Sequence, residues 1–216
     1  MVSINCDMGE AFGLYKLGDD EALMPLISIA NVACGFHGSD FNHMRTTEMK
    51  ISREEMANCM IYQIGALKGF LEAEGMTLNH IKPHGSLYGM AARQPDIAHA
   101  VCDVADIFKV PVLGMINTLH ETIYQERKHR FMAEYYADLD YSDDGFVIIK
   151  RQYDWKDATE AARRVVEAIK TGTTTSVNGK TVAVRADTIC VHSDTPNAVA
   201  IAKAVREAVA PYLTAA

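Results

Sequence analysis

Four apolar runs end on acids or imidazoles set close to glycine or a further acid. They read Val2-Ser3-Ile4-Asn5-Cys6-Asp7-Met8-Gly9-Glu10, Ile29-Ala30-Asn31-Val32-Ala33-Cys34-Gly35-Phe36-His37-Gly38-Ser39-Asp40, His80-Ile81-Lys82-Pro83-His84-Gly85 and Ile189-Cys190-Val191-His192-Ser193-Asp194. Carboxylates and imidazoles are the side chains that move protons near neutral pH or hold divalent ions. Burying so many ionisable groups separately would be costly. The pattern therefore predicts one shared site at the exits of buried strands, where α/β folds place their chemistry.

Each exit has its own logic. Asp7, with Asn5 before it and Gly9 and Glu10 after it, reads as a functional carboxylate within a repeated pattern. His37 sits between Gly35 and Gly38, which allow close approach of a ligand, and Asp40 suits a helix cap as well as a ligand contact. Lys82 at the end of a buried strand requires an anionic partner, and Pro83 fixes the turn that presents His84. That pair suits acid–base or oxyanion work. His192 is followed by Thr195-Pro196, the signature of an N-cap and first-turn proline, so a helix N-terminus there would form an anion site. His43, His80, His99, His120 and His129 read as solvated or structural.

Other familiar signatures fail. Gly179-Lys180-Thr181 resembles the tail of a phosphate-binding loop, but Thr174 stands where its first glycine belongs and the segment reads as a hairpin. His120-Glu121 lacks a second histidine, because position 124 is Tyr124.

The elements that must position these residues alternate. A helix is expected from Asp40 to about Lys50. A second opens with the capping box Ser52/Glu55, carries Met56, Met60, Ile64, Leu67 and Leu71 along one face, and ends at Gly75. A strand over His80–Lys82 follows, then a helix from Pro95 with Ile97, Val101, Val104 and Phe108 inward. Val110–Met115 reads as a buried strand with Asn117 capping the next helix. Phe131–Ala137 and Thr188–Val191 read as strands, Asp157 opens a helix to about Ile169, and Thr195 caps the last one. Asp144-Gly145 and Asn178-Gly179 suggest hairpins with type I′ turns. Alternation with polar strand exits predicts a parallel βα barrel in one domain over residues 1–216, with an open doubly wound sheet as the alternative. The alternation breaks once: between Lys50 and Ser52 only Ile51 separates two helices, where a strand is due.

With 49% hydrophobic residues, 216 residues suffice for one substantial core. Lys and Arg total 21 against 28 Asp and Glu, with no basic block, which argues against nucleic acid and anionic membranes. Five scattered cysteines without a CxxC pair argue against a disulfide framework. Asp7 and Glu10 fall where a leader would need apolar residues, and no uncharged run is long enough to cross a bilayer, so a reduced cytoplasmic setting is expected.

Asn5-Cys6-Asp7-Met8-Gly9-Glu10, Ala30–His37, Tyr62–Leu67, Lys82-Pro83-His84-Gly85-Ser86-Leu87-Tyr88 and Ala186–Pro196 together resemble the LamB/YcsF family, whose members form one of the three components of ATP-dependent 5-oxoprolinase. The resemblance runs from the first strand to the last helix. It implies a distorted seven-stranded βα barrel of the deacetylase-like type. It also implies ATP-driven cleavage of 5-oxo-L-proline to L-glutamate with partner subunits B and C, which would hold most of the ATP contacts. Asp7, Lys82, His84 and His192 then become the catalytic candidates, and Asn5, Glu10, Asn31, His37, Asp40, Tyr88 and Asp194 the substrate-binding candidates. Two departures stand out: a third strand expected in the family is missing near Lys50–Ser52, and Leu139 replaces an arginine that many relatives carry. Two alternatives stay open. One is a metal-dependent deacetylase or amidase with a divalent ion at Asp7 and His37, the other a non-catalytic substrate-binding component; self-association is also left open.

Overall fold

The fold is that of a computed structural model, which describes residues 1–10, 18–34, 48, 50–149 and 154–213. His37, Asp40 and the helix expected after Asp40 lie outside the described residues, apart from residues 48 and 50. In chain order the elements are β1 (Ser3–Met8), α1 (Asp20–Leu23), β2 (Ile29–Val32), α2 (Arg53–Ala73), α3 (Gly85–Arg93), α4 (Pro95–Phe108), β3 (Val112–Gly114) and α5 (Leu119–Glu126). Then come β4 (Phe131–Tyr136), β5 (Asp140–Tyr141), β6 (Val147–Ile148), α6 (Ala158–Thr171), β7 (Thr173–Thr175), β8 (Thr181–Ala183), β9 (Thr188–His192) and α7 (Ala198–Val209). They form two units, Met1–Val32 with Ala133–Ala216, and Ala33–Met132.

In the first unit a parallel sheet runs in the order β2-β1-β9-β4. β1 and β9 are central and buried almost throughout, as their continuous apolar runs require. Helix α7 lies against β9 with Ala198, Ile201, Ala202, Val205 and Val209 buried, a spacing that keeps one face inward. Helix α6, which packs on α7, starts where expected. Asp157 accepts hydrogen bonds from the Thr159 and Glu160 N–H groups at 2.8 and 3.1 Å.

Two local expectations in this unit need correction. Thr195 does not cap α7: the cap position is Asn197, without a side-chain bond, and the Thr195 hydroxyl donates instead to Asp138 at 2.9 Å. A hydrogen bond to an ionised carboxylate is stronger than a neutral cap, so the helix starts at Ala198 and the expected anion site beside His192 is displaced. The hairpins are also of another type. Gly145 and Gly179 have φ of +82°, but Asp144 and Asn178 are not in the left-handed region, so neither turn is type I′. Each is a turn closed by glycine at a bulge, with Gly179 N–H donating to Ser176 O at 3.0 Å.

The second unit is helical around one apolar core in which Met56, Met60 and Ile64 of α2 meet Ile97, Val101 and Val104 of α4. The capping box of Ser52 and Glu55 forms as the sequence predicts. Among the described residues the parallel sheet has five strands, four in the first unit and β3 in the second, where the sequence suggested six. His80–Lys82 makes only a single parallel bridge, from Ile81 to Val112, because Pro83 has no N–H to continue a ladder. Among the described residues no helix is long and apolar enough to cross a membrane.

At the end of β3 the chain closes on a histidine. The cap of α5 is Thr118, not Asn117, which takes φ +58° to make the turn. His120, expected to be structural or solvated, is fully buried. A Cβ at Gly114 would lie 2.6 Å from His120 Cβ and 2.8 Å from its Cγ. Neither atom is the end of a flexible chain. Gly114→Ala is therefore expected to destabilise the protein by about 3 kcal/mol, read as a lower urea midpoint at unchanged slope. An unaltered midpoint would show that the turn yields freely.

Candidate functional site

Strand register assembles the site in the first unit. β1 and β9 pair so that Asn5 lies beside Cys190 and Asp7 beside His192. On the other side of β1, Asp7 lies beside Asn31 of β2. On the other side of β9, Tyr136 of β4 lies beside Cys190 and Glu134 beside Thr188. Side chains alternate between faces along each strand, so these polar groups share one face while Ile4, Cys6, Ile189 and Val191 share the opposite one.

Hydrogen bonds tie that face together. Asn31 Nδ2 donates to Asn5 Oδ1 at 2.8 Å and to Asp7 Oδ1 at 2.7 Å. Asn5 Nδ2 in turn donates to Thr188 Oγ1 at 2.8 Å. Asp7 is 3% exposed, so its carboxylate is held by directed bonds rather than by bulk water.

The residue that organises His192 is Asp138. It lies just beyond β4, is buried, and receives three hydrogen bonds. His192 N–H donates to Oδ2 at 2.8 Å and Thr195 Oγ1 donates to the same oxygen at 2.9 Å. His192 Nδ1 lies 2.9 Å from Oδ1. An ionised carboxylate only accepts, so Nδ1 carries its proton there and Nε2 is the working nitrogen. Burial alone would raise Asp138, but the charge of His192 and the bonds from His192 and Thr195 outweigh it and hold Asp138 below the ordinary carboxylate range. Burial opposes protonation of His192, but Cys190 and Asp138 outweigh it and raise the imidazole above its ordinary range. The Tyr136 ring stacks on the His192 ring, centroids 5.9 Å apart, and fixes its plane.

Such an arrangement can place a water beside a carboxylate and exchange a proton at Nε2 of an oriented imidazole. It also brings one ligand atom each from Asp7, Cys190 and His192 within 4.8 Å of one another.

The expected site residues fall in different places. Asn5, Asp7, Asn31 and His192 are assembled as described, Glu10 is buried two residues beyond β1, and Asp194 is half-buried past the end of β9. Lys82, His84 and Tyr88 belong to the second unit. Lys82 is half-buried beyond the Ile81 bridge, and His84 occupies the cap position of α3 without a side-chain capping bond. Tyr88 is buried, its carbonyl 3.0 Å from His120 Nε2 and its ring edge-on to the His120 ring. Sequence reasoning does not pick out Asp138 or Tyr136. Asp138 nevertheless carries the same signal as the others, an acid at the exit of an apolar strand.

The same arrangement can be set beside known proteins. The LamB/YcsF family model matches residues 2–48 and 45–213, two pieces that meet close to the break in alternation at Lys50–Ser52. A lactam utilization protein lamB of Emericella nidulans is 39% identical over 203 aligned residues, covering 82% of this chain and 79% of that protein. The A subunit of a 5-oxoprolinase from Staphylococcus aureus is 36% identical over 208, covering 82% and 83%. Among solved structures, a lactam utilization protein from Thermus thermophilus superposes with a TM-score of 0.85 at 34% identity, covering 97% of this chain and 96% of its own.

Proposed function

The chain belongs to the LamB/YcsF family, and from that premise we propose that it is the ring-opening component of an ATP-dependent 5-oxoprolinase. The relatives named for 5-oxoprolinase and for lactam utilization support this reading. The observation that carries it is the oriented pair Asp138–His192 beside Asp7 on adjacent parallel strand ends.

A five-membered lactam is a poor electrophile. Partner subunits B and C are proposed to phosphorylate its oxygen, converting ATP to ADP. Water then adds to the activated carbon, the C–N bond breaks with the nitrogen protonated, and γ-glutamyl phosphate results. A second water releases phosphate and leaves glutamate. Asp7 positions or deprotonates the attacking water, and His192 exchanges its proton at Nε2. Lys82 is assigned to the phosphorylated oxygen and His84 to the leaving nitrogen. Asn5, Glu10, Asn31, Tyr88 and Asp194, with His37 and Asp40, remain the substrate-binding candidates. The closed seven-stranded barrel belongs to the same proposal, as does a cytoplasmic setting in which the five free cysteines stay reduced.

Mixed with its two partners, the purified chain is expected to release glutamate from 5-oxo-L-proline only when ATP is present. Lys82→Ala and His84→Ala should each lower that rate by about 10²-fold or more. Unchanged rates in both variants would remove these assignments.

A further inference from the structure

We propose that Asp7, Cys190 and His192 form a binding site for one divalent ion of borderline softness, with zinc the best fit. Their ligand atoms lie within 4.8 Å of one another, and each offers a different donor: carboxylate oxygen, thiol sulfur and imidazole nitrogen. Mixed N, S and O sets of this kind suit zinc, whereas magnesium and calcium require oxygen-rich surroundings.

The spacing fits. Tetrahedral zinc with bonds of about 2.3 Å to sulfur and 2.0–2.1 Å to nitrogen sets those two atoms roughly 3.6 Å apart. Cys190 Sγ and His192 Nε2 are separated by 3.8 Å. Cys190 and His192 are two residues apart on one strand and Asp7 is the register partner of His192, so the site follows from backbone pairing.

An outer shell is also in place. Asp138 Oδ1 holds His192 Nδ1–H at 2.9 Å, the arrangement by which a carboxylate directs the other nitrogen of a histidine toward a metal. Asn31 holds Asp7 Oδ1 at 2.7 Å and fixes the orientation of that carboxylate. Three protein ligands leave a fourth tetrahedral position for water or substrate. The inference concerns binding and does not rest on the ring-opening reaction: metal-free protein keeps Asp7 and His192 Nε2 for proton transfer, whereas a bound ion would occupy both as ligands.

The test uses the full chain, stripped with a chelator and titrated with Co²⁺ as a spectroscopic stand-in for zinc. One equivalent of Co²⁺ is expected to bind, with visible bands of tetrahedral intensity and a near-ultraviolet thiolate-to-cobalt band, and zinc should displace it. Cys190→Ala and Cys190→Ser should abolish the near-ultraviolet band, while Cys102→Ala, at another buried thiol, should retain it. Asp138→Asn should weaken Co²⁺ binding by about 10–100-fold. Absence of stoichiometric binding, or a charge-transfer band that survives in both Cys190 variants, overturns the site. Glutamate release by chelator-stripped protein with its partners is read separately, so loss of the metal site and loss of the proposed reaction give different results.

Discussion

In the proposed ring-opening reaction, Asp138→Asn is expected to lower the rate of glutamate release by about 10³–10⁴-fold while leaving the fold nearly intact. The substitution keeps shape and volume but removes one acceptor. Two donors converge on Oδ2, the His192 N–H and the Thr195 hydroxyl, so the asparagine carbonyl belongs there. Its NH₂ group then faces His192 Nδ1, which must give up its proton and accept instead. The imidazole is left as the wrong tautomer, with Nε2–H where the lone pair was needed. Two readouts separate this from simple unfolding: the thermal midpoint should move only a few degrees, and the acidic limb of the pH–rate profile should shift. Wild-type turnover with an unmoved profile would show that His192 does not depend on its neighbour.

Acid should weaken the fold well before carboxylates protonate. Burial pushes His120 down to about 3, against an opposing hydrogen bond to the Tyr88 carbonyl. Its two nitrogens are committed, Nδ1 accepting from Met115 N–H at 3.1 Å and Nε2 lying 3.0 Å from Tyr88 O, which fixes the neutral tautomer. The unfolded chain takes up a proton as pH falls below about 6.5, whereas the folded chain does not until far lower. Stability from this group is thus complete above that value and declines as pH drops toward the folded pKa, by about 1.4 kcal/mol per unit. At about pH 4.5 the loss reaches roughly 2–3 kcal/mol. His129, lowered mainly by its burial, acts in the same direction, so the diagnostic is a difference. Urea midpoints of wild type and His120→Asn should converge on acidification, because the variant lacks the titrating ring. Parallel pH dependences in the two proteins would sink the assignment.

Much of the fold and part of the site are legible in the sequence for identifiable reasons. Continuous apolar runs locate β1, β4 and β9, and their exits locate Asp7 and His192. The capping box at Ser52 and the cap at Asp157 are local chemistry, readable within four residues. Asp138 obeys the same exit rule. Helix α3 escapes a sequence reading because Gly85 and Gly89 weaken its propensity and no side chain caps it; burial of Tyr88, Met90, Ala91 and Ala92 sustains it instead. Thr195 misleads for the opposite reason. Its partner lies 57 residues away in sequence, and no local pattern reveals that distance.

The alternation along β1 and β9 has a consequence for how this protein can change. Positions 5, 7, 190 and 192 hold the polar groups, while 4, 6, 189 and 191 fill the apolar side. Reactivity and foldability are thus written on interleaved sets of positions in the same few residues. Substitutions in one set can retune the chemistry without disturbing the other, but a single-residue insertion in either strand would exchange the two sets and forfeit both at once.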